Sequence, residues 1–265
     1  MPERHTIESA LSGHNLTTGG EVAYEGVAML PDVKVLKIGG QSIMDRGRQA
    51  VFPLVEELAA AKDEHAMLVG CGGGTRARHV YSIASDLDMP TGVLAALGGY
   101  VPMQNARMLQ MLLAKHGGIY VMHDDFEKLP LYFRLGCIPV MTGMPPFAYW
   151  EKPSAEGRIP ANRTDAGVFL SAEALGSPRV IFVKDEAGMH ESDPKKNPGS
   201  PFIKRIGARE LIERDLPDLI VERVVVEYLT RSRYTHEVQI INGLERGMLT
   251  RALAGEDVGT IIYQD

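Results

Sequence analysis

The sequence predicts an α/β fold, a three-layer α/β/α sandwich around a mainly parallel central sheet. Three observations carry this. Uninterrupted apolar runs such as Met67-Leu68-Val69-Gly70, Ile138-Pro139-Val140-Met141 and Val180-Ile181-Phe182-Val183 suit strands buried on both faces. The runs alternate with stretches of helical periodicity, which places crossover helices on both faces of the sheet. Glycine clusters sit beside the runs, as they do where an open α/β sheet binds a ligand at its carboxyl edge.

Taken in order, Val33 to Ile38 reads as the first strand and ends in Gly39-Gly40. A helix is predicted over Asp45–Ala61, with Val51, Leu54, Val55, Leu58 and Ala59 at helical spacing. Met67–Gly70 is the second strand and runs into Gly72-Gly73-Gly74, with a helix from Thr75 to about Leu87. Gly98-Gly99 reads as a third strand-end cluster, followed by a helix over Met103–His116. Val221–Leu229 fits strand or helix equally, and Glu237–Ile241 is a strand before Asn242-Gly243. Residues 1–29 are polar and weakly periodic and read as an arm; 30–265 read as one domain.

Composition narrows the function. The chain has 265 residues, 28 Lys and Arg against 34 Asp and Glu, and a net charge of −6. This argues against a surface that coats nucleic acid or anionic membrane, so neither is expected as a partner. Two cysteines, Cys71 and Cys137, build no disulfide framework. No stretch has the length of a signal peptide core or a membrane span, so a cytoplasmic location is the default expectation.

Chemistry is expected at the strand ends. Glycine turns there let backbone N–H groups approach an oxyanion, and the next helix adds its positive end. There is no Gly-x-x-x-x-Gly-Lys-Ser/Thr and no dinucleotide fingerprint. Instead Lys37 stands immediately before the Gly39-Gly40 turn, placed to set an ammonium against a phosphoryl oxygen. Thr164 and Asp165 precede an apolar helix; either could cap it, or Asp165 could orient Lys37 or a metal-bound phosphate. Lys184, Asp185 and Glu186 leave a strand into a charged turn and could face a nucleotide or Mg²⁺, or solvent. Arg76, Arg78 and His79 form a basic knot at a helix start, suited to an anion or to an inter-subunit ion pair. His116 and His123 flank a strand near Gly117-Gly118, and either could face an internal cavity.

These pieces resemble the amino acid kinase family, which includes uridylate kinases. The landmarks are Lys37-Ile38-Gly39-Gly40, Gly72-Gly73-Gly74, Thr164-Asp165 and the stretch from Gly188 to Pro194, all in the family's order. Within that family the chain is similar to the molybdenum-storage branch, its beta type more than its alpha type. The runs that carry this include Asp45-Arg46-Gly47-Arg48, Thr75-Arg76-Ala77-Arg78-His79, Gly143-Met144-Pro145-Pro146, Arg163-Thr164-Asp165-Ala166-Gly167 and Leu249 to Glu256.

The resemblance implies a hexameric cage, a trimer of dimers with or without an alpha-like subunit, that stores molybdate or tungstate as polyoxometalate clusters. It implies ATP with Mg²⁺ at the kinase-type site. Lys37 and Asp165 would be the catalytic pair. Gly39, Gly40, Gly72, Gly73, Gly74, Thr75 and Arg76 would hold phosphates, and Lys184, Asp185, Gly188, His190 and Asp193 would complete the nucleotide site. His116 and His123 are the candidate metal contacts. Two positions depart from the kinase pattern: Ala187 stands where kinases have Asp, and His190 where they have Tyr. The histidine run of the alpha type is replaced by Phe147-Ala148-Tyr149-Trp150. ATP hydrolysis coupled to loading, phosphotransfer to a small acceptor, and a non-catalytic shell subunit all remain open at this point.

Overall fold

A computed structural model describes residues 27–151 and 159–265. The expected arm over 1–29 therefore lies almost wholly outside the described residues. Eight strands form one sheet in the order β3-β4-β2-β1-β5-β9-β10-β8. They are β1 Lys34–Ile38, β2 Met67–Cys71, β3 Gly118–Tyr120, β4 Ile138–Thr142, β5 Arg179–Lys184, β8 Arg205–Gly207, β9 Glu237–Asn242 and β10 Thr260–Tyr263. A separate two-stranded hairpin pairs β6 Met189–His190 with β7 Phe202–Ile203. All pairings in the large sheet are parallel except β9 with β10. The sheet is thus mainly parallel, as its apolar strands require.

Two core clusters show why the strands lack a polar face. Val35, Leu68, Val180, Phe182, Val238 and Ile240 join one cluster, and Leu36, Ile38, Val69, Ile181, Val183 and Ile241 the other. Successive residues alternate between faces, so both faces must be covered by helices. The first face packs on α5 (Thr164–Leu175), α6 (Ala208–Arg214) and α7 (Arg223–Leu229). The second packs on α1 (Arg48–Ala61), α3 (Thr91–Leu113) and α8 (Met248–Leu253). The remaining α-helices among the described residues are α2 (Gly74–Asp86) and the short α4 (Leu129–Arg134). The ambiguous 221–229 segment is helical from Arg223 onward, because its buried residues Val225, Val226 and Leu229 recur at helical spacing on α5's side of the sheet.

Three expectations need correction. The helix predicted over Asp45–Ala61 is split: a 3₁₀ turn at Met44–Arg46, then Gly47 at φ +69°, then α1 from Arg48. Gly47 takes the left-handed backbone that breaks the run. Gly98-Gly99 does not follow a strand. It lies inside α3, which begins at Thr91, twelve residues before the predicted start at Met103. There its lack of a side chain serves packing: a Cβ on Gly98 would meet the Tyr81 hydroxyl oxygen at 2.5 Å. At its other end α3 stops at Leu113, and His116 closes a 3₁₀ turn.

Candidate functional site

The carboxyl ends of β1, β2 and β5 open into one cleft of about 820 Å³. Strand alternation explains its central charge. Val35 and Phe182 face α5, so Lys37 and Lys184, two residues further along β1 and β5, face α5 as well. Asp165 in the first turn of α5 lies between them. Lys37 Nζ donates to Asp165 Oδ1, and Lys184 Nζ lies 3.1 Å from both Asp165 oxygens. Lys37 and Asp165 are each only 4% exposed, so neither charge is solvated and each depends on the other. Burial would raise the Asp165 carboxyl; Lys184 and Lys37 outweigh it and hold the group well below the usual carboxylate range. Burial likewise lowers the Lys184 ammonium, against Asp165, which supports its charge.

The two glycine turns are stacked backbone on backbone. A Cβ on Gly40 would lie 2.7 Å from the carbonyl carbon of Gly72 and from Gly74 Cα; one on Gly72 would lie 2.6 Å from the Gly40 nitrogen. Only glycine fits this contact. The Gly39-Gly40 turn is closed by Met44 N–H on the Gly39 carbonyl and Asp45 N–H on that of Gly40. Asn105, fully buried on α3, donates to the Gly72 carbonyl at 2.6 Å and the Gly73 carbonyl at 3.3 Å. It anchors the second turn from behind. This backbone cradle, with lysines on its floor, suits the phosphates of a nucleotide.

The late loop forms the other rim. Asp185 accepts from Arg46 at 2.6 Å and from Lys195 at 2.8 Å, tying the first loop to the late loop across the cleft mouth. Burial raises the Asp185 carboxyl, and these two cations more than reverse the effect. His190 sits edge-on to Phe202, with ring centroids 5.3 Å apart, and its Nδ1 is 2.9 Å from the Ser200 carbonyl oxygen. An imidazole thus fills this place in the rim.

Lys37, Gly39, Gly40, Gly72, Gly73, Gly74, Asp165, Lys184, Asp185, Gly188, His190 and Asp193 all line the cleft. Thr75 and Arg76 do not. The Thr75 N–H is taken by Asp45 Oδ2 at 2.6 Å, and Arg76 turns to Gln104 and Asn105 on α3. Arg78 faces the cleft instead, since two residues on a helix point some 200° apart. His116 and His123 stand before and after β3, at opposite ends of the strand. His123 points inward: its Nε2 is buried without a hydrogen-bond partner among the described residues, and burial lowers its pKa. Among the described residues no group of three or more His, Cys, Asp or Glu is placed to hold a metal ion.

Sequence reasoning missed three residues here. Glu222 caps α5: its carboxylate accepts from the N–H groups of Arg163, Asp165 and Ala166 at 3.0 to 3.1 Å. Neither Thr164 nor Asp165 caps that helix, and Asp165 is left free for the lysines. Burial and the nearby Asp165 charge raise the Glu222 carboxyl. Nothing local in the sequence marks Glu222. Asp45 is the second, and its signal is equally slight. Asn105 was legible: it stands four residues from Val101 and from Leu109, a polar residue in an apolar helical stripe.

The mainly parallel sheet with helices on both faces is the fold of the amino acid kinase family. The chain belongs to that family, whose model matches residues 32–231. Among individual proteins, it is 52% identical over 234 residues to the molybdenum storage protein subunit beta of Azotobacter vinelandii, covering 88% of this chain and 87% of that one. It is 24% identical over 237 residues to a uridylate kinase of Thermococcus kodakarensis, covering 86% and 98%. Two solved structures share the fold. The UMP kinase of Bacillus anthracis aligns with a TM-score of 0.68 at 16% identity, covering 88% of this chain and 96% of that one. The uridylate kinase of Archaeoglobus fulgidus aligns at 0.65 and 20%, covering 86% and 99%.

Proposed function

We propose that this chain is a nucleotide-binding subunit of an oligomeric store for molybdate or tungstate, held as polyoxometalate clusters. The observation that carries the reading is the 52% identity to a molybdenum storage subunit across nearly the whole of both chains. The uridylate kinases stand at about half that identity. The cleft supports the nucleotide half of the proposal. ATP phosphates would lie over the Gly39-Gly40 and Gly72–Gly74 turns, with Lys37 and Lys184 neutralising their charge and Asp165 holding both lysines. Mg²⁺ would enter with the nucleotide, because Asp165 and Asp185 are already engaged by cations.

Assembly is supported by large apolar side chains exposed along α2 and α3. Ile83 lies on α2 and Leu87 just past its end, one turn on, and Tyr100, Met108 and Met111 are exposed on α3. Exposed apolar groups in such number mark a contact surface. A hexamer, with or without an alpha-like subunit, and a cytoplasmic location go with this reading. Among the described residues no helix is long and apolar enough to cross a membrane.

Elemental analysis and native mass of the particle purified after growth in molybdate test the proposal. Many Mo or W atoms per subunit in a closed oligomer, released at raised pH, are expected. A well-formed oligomer without either metal would overturn it. Phosphotransfer to a small acceptor is the second reading, favoured by the Lys37–Asp165–Lys184 floor and by the uridylate kinase relatives. It requires acceptor-dependent ATP consumption that Lys37→Ala abolishes.

A further inference from the structure

Glu222 and Asp165 hold each other in a reciprocal brace across 57 residues of chain. Glu222 Oε1 accepts from the Asp165 N–H at 3.1 Å, and the Glu222 N–H donates to Asp165 Oδ2 at 3.2 Å. The same carboxylate accepts from Arg163 N–H at 3.0 Å and Ala166 N–H at 3.1 Å. This is the logic of a capping box, with the second residue supplied from another part of the fold. Its placement differs from an ordinary cap in two ways. It fixes the one carboxylate that both cleft lysines share. It also ends the segment 218–222, whose Leu219, Ile220 and Val221 form a wall of the same cleft.

We infer that Glu222 is a positioning residue that couples this wall to the phosphate-facing lysines through Asp165. The inference rests on the nucleotide reading of the cleft. Ligand contacts on the wall and on the lysines then depend on one brace, and loosening it weakens both. Without the Glu222 carboxylate the N–H groups of Arg163, Asp165 and Ala166 lose their acceptor, and the main-chain N–H of Glu222 is no longer held against Asp165 Oδ2 by the reciprocal bond.

The fold contains a matched control. Glu57 on α1 is also a buried remote cap: it accepts from Gly247 N–H at 3.0 Å, Thr250 N–H at 2.9 Å and Thr250 Oγ1 at 2.8 Å. It braces α8, and it does not line the cleft. A merely structural role for Glu222 would make Glu222→Gln resemble Glu57→Gln.

The experiment is calorimetry of ATP–Mg²⁺ and of inorganic tripolyphosphate against the intact protein, Glu222→Gln, Glu222→Asp and Glu57→Gln, with thermal unfolding of each. Both Gln variants should lower the melting temperature. Glu57→Gln should hold both affinities within about twofold of the parent. Glu222→Gln should weaken ATP and tripolyphosphate at least about tenfold each, and Glu222→Asp should recover part of the loss. Equal affinities in Glu222→Gln and the parent would overturn the inference alone. Loss of ATP binding with tripolyphosphate unchanged would also overturn it, since Glu222 would then hold only the wall. A parent protein that binds neither probe would overturn the nucleotide reading itself, and the inference with it.

Discussion

Asp165 receives the Lys184 ammonium at 3.1 Å on both of its carboxylate oxygens, and Lys37 on one of them. One buried carboxylate therefore pairs with two ammonium groups drawn from different strands and leaves one positive charge over, facing the cleft. Asp165→Asn removes that charge and leaves the two lysines facing each other out of water. Uncompensated buried charge of this kind costs about 3–5 kcal/mol. Denaturant unfolding at neutral pH should show a loss of that order.

The same pair sets an acid limb. Asp165 is held below its ordinary value of 3.8 in the folded chain, so the unfolded chain binds the proton more readily. Its contribution is fully present above that value and is lost as pH falls through the folded one. Unfolding profiles from pH 6 to pH 2 should therefore fall more steeply for the parent than for Asp165→Asn. Parallel profiles would refute the assignment.

Gly40→Ala places a methyl group into the Gly72–Gly74 backbone, which has no flexible side-chain end to move aside. Overpacking of this kind costs about 1–3 kcal/mol. The cradle also opens, so the affinity for ATP should fall more than the melting temperature alone would suggest. Calorimetry and thermal unfolding of the one variant check both.

Asn105→Ala leaves the Gly72 and Gly73 carbonyls without their side-chain donor and frees Arg76 from one acceptor. A buried polar group left unmade costs about 1–3 kcal/mol. Hydrogen exchange should rise in the 71–75 segment while β4 stays protected. Unchanged exchange there would show that the turn holds itself.

Gly98→Ala tests what that glycine does. As an anion-binding turn it would matter to nucleotide affinity. As a helix residue pressed against Tyr81 it should matter to stability. The contact with Tyr81 gives the stability effect, so unfolding free energy should drop by about 1–3 kcal/mol; because Gly98 and Tyr81 also line the cleft, ATP affinity of the folded variant is measured beside it.

The Lys37-Ile38-Gly39-Gly40 stretch was legible because strand period, strand end and glycine turn are all local properties. Gly72–Gly74 followed the same rule and lines the same cleft. Gly98-Gly99 broke it: a glycine pair has one spelling whether it turns the chain or lets two helices approach. Arg76 and Arg78 were indistinguishable in sequence. Only the orientation of α2 sends one to α3 and the other to the cleft.

The sequence by itself determined the layers and the strand-end glycines, and it carried the family landmarks, because apolar periodicity and turn chemistry act over a few residues. The tertiary structure alone decided which charges meet. Lys37 and Asp165 are 128 residues apart, and Glu222 lies a further 57 beyond. No local pattern encodes such a pairing. It arises because β1 and β5 are neighbours in the sheet, both point every second residue at α5, and a buried charge persists only where the fold delivers its partner.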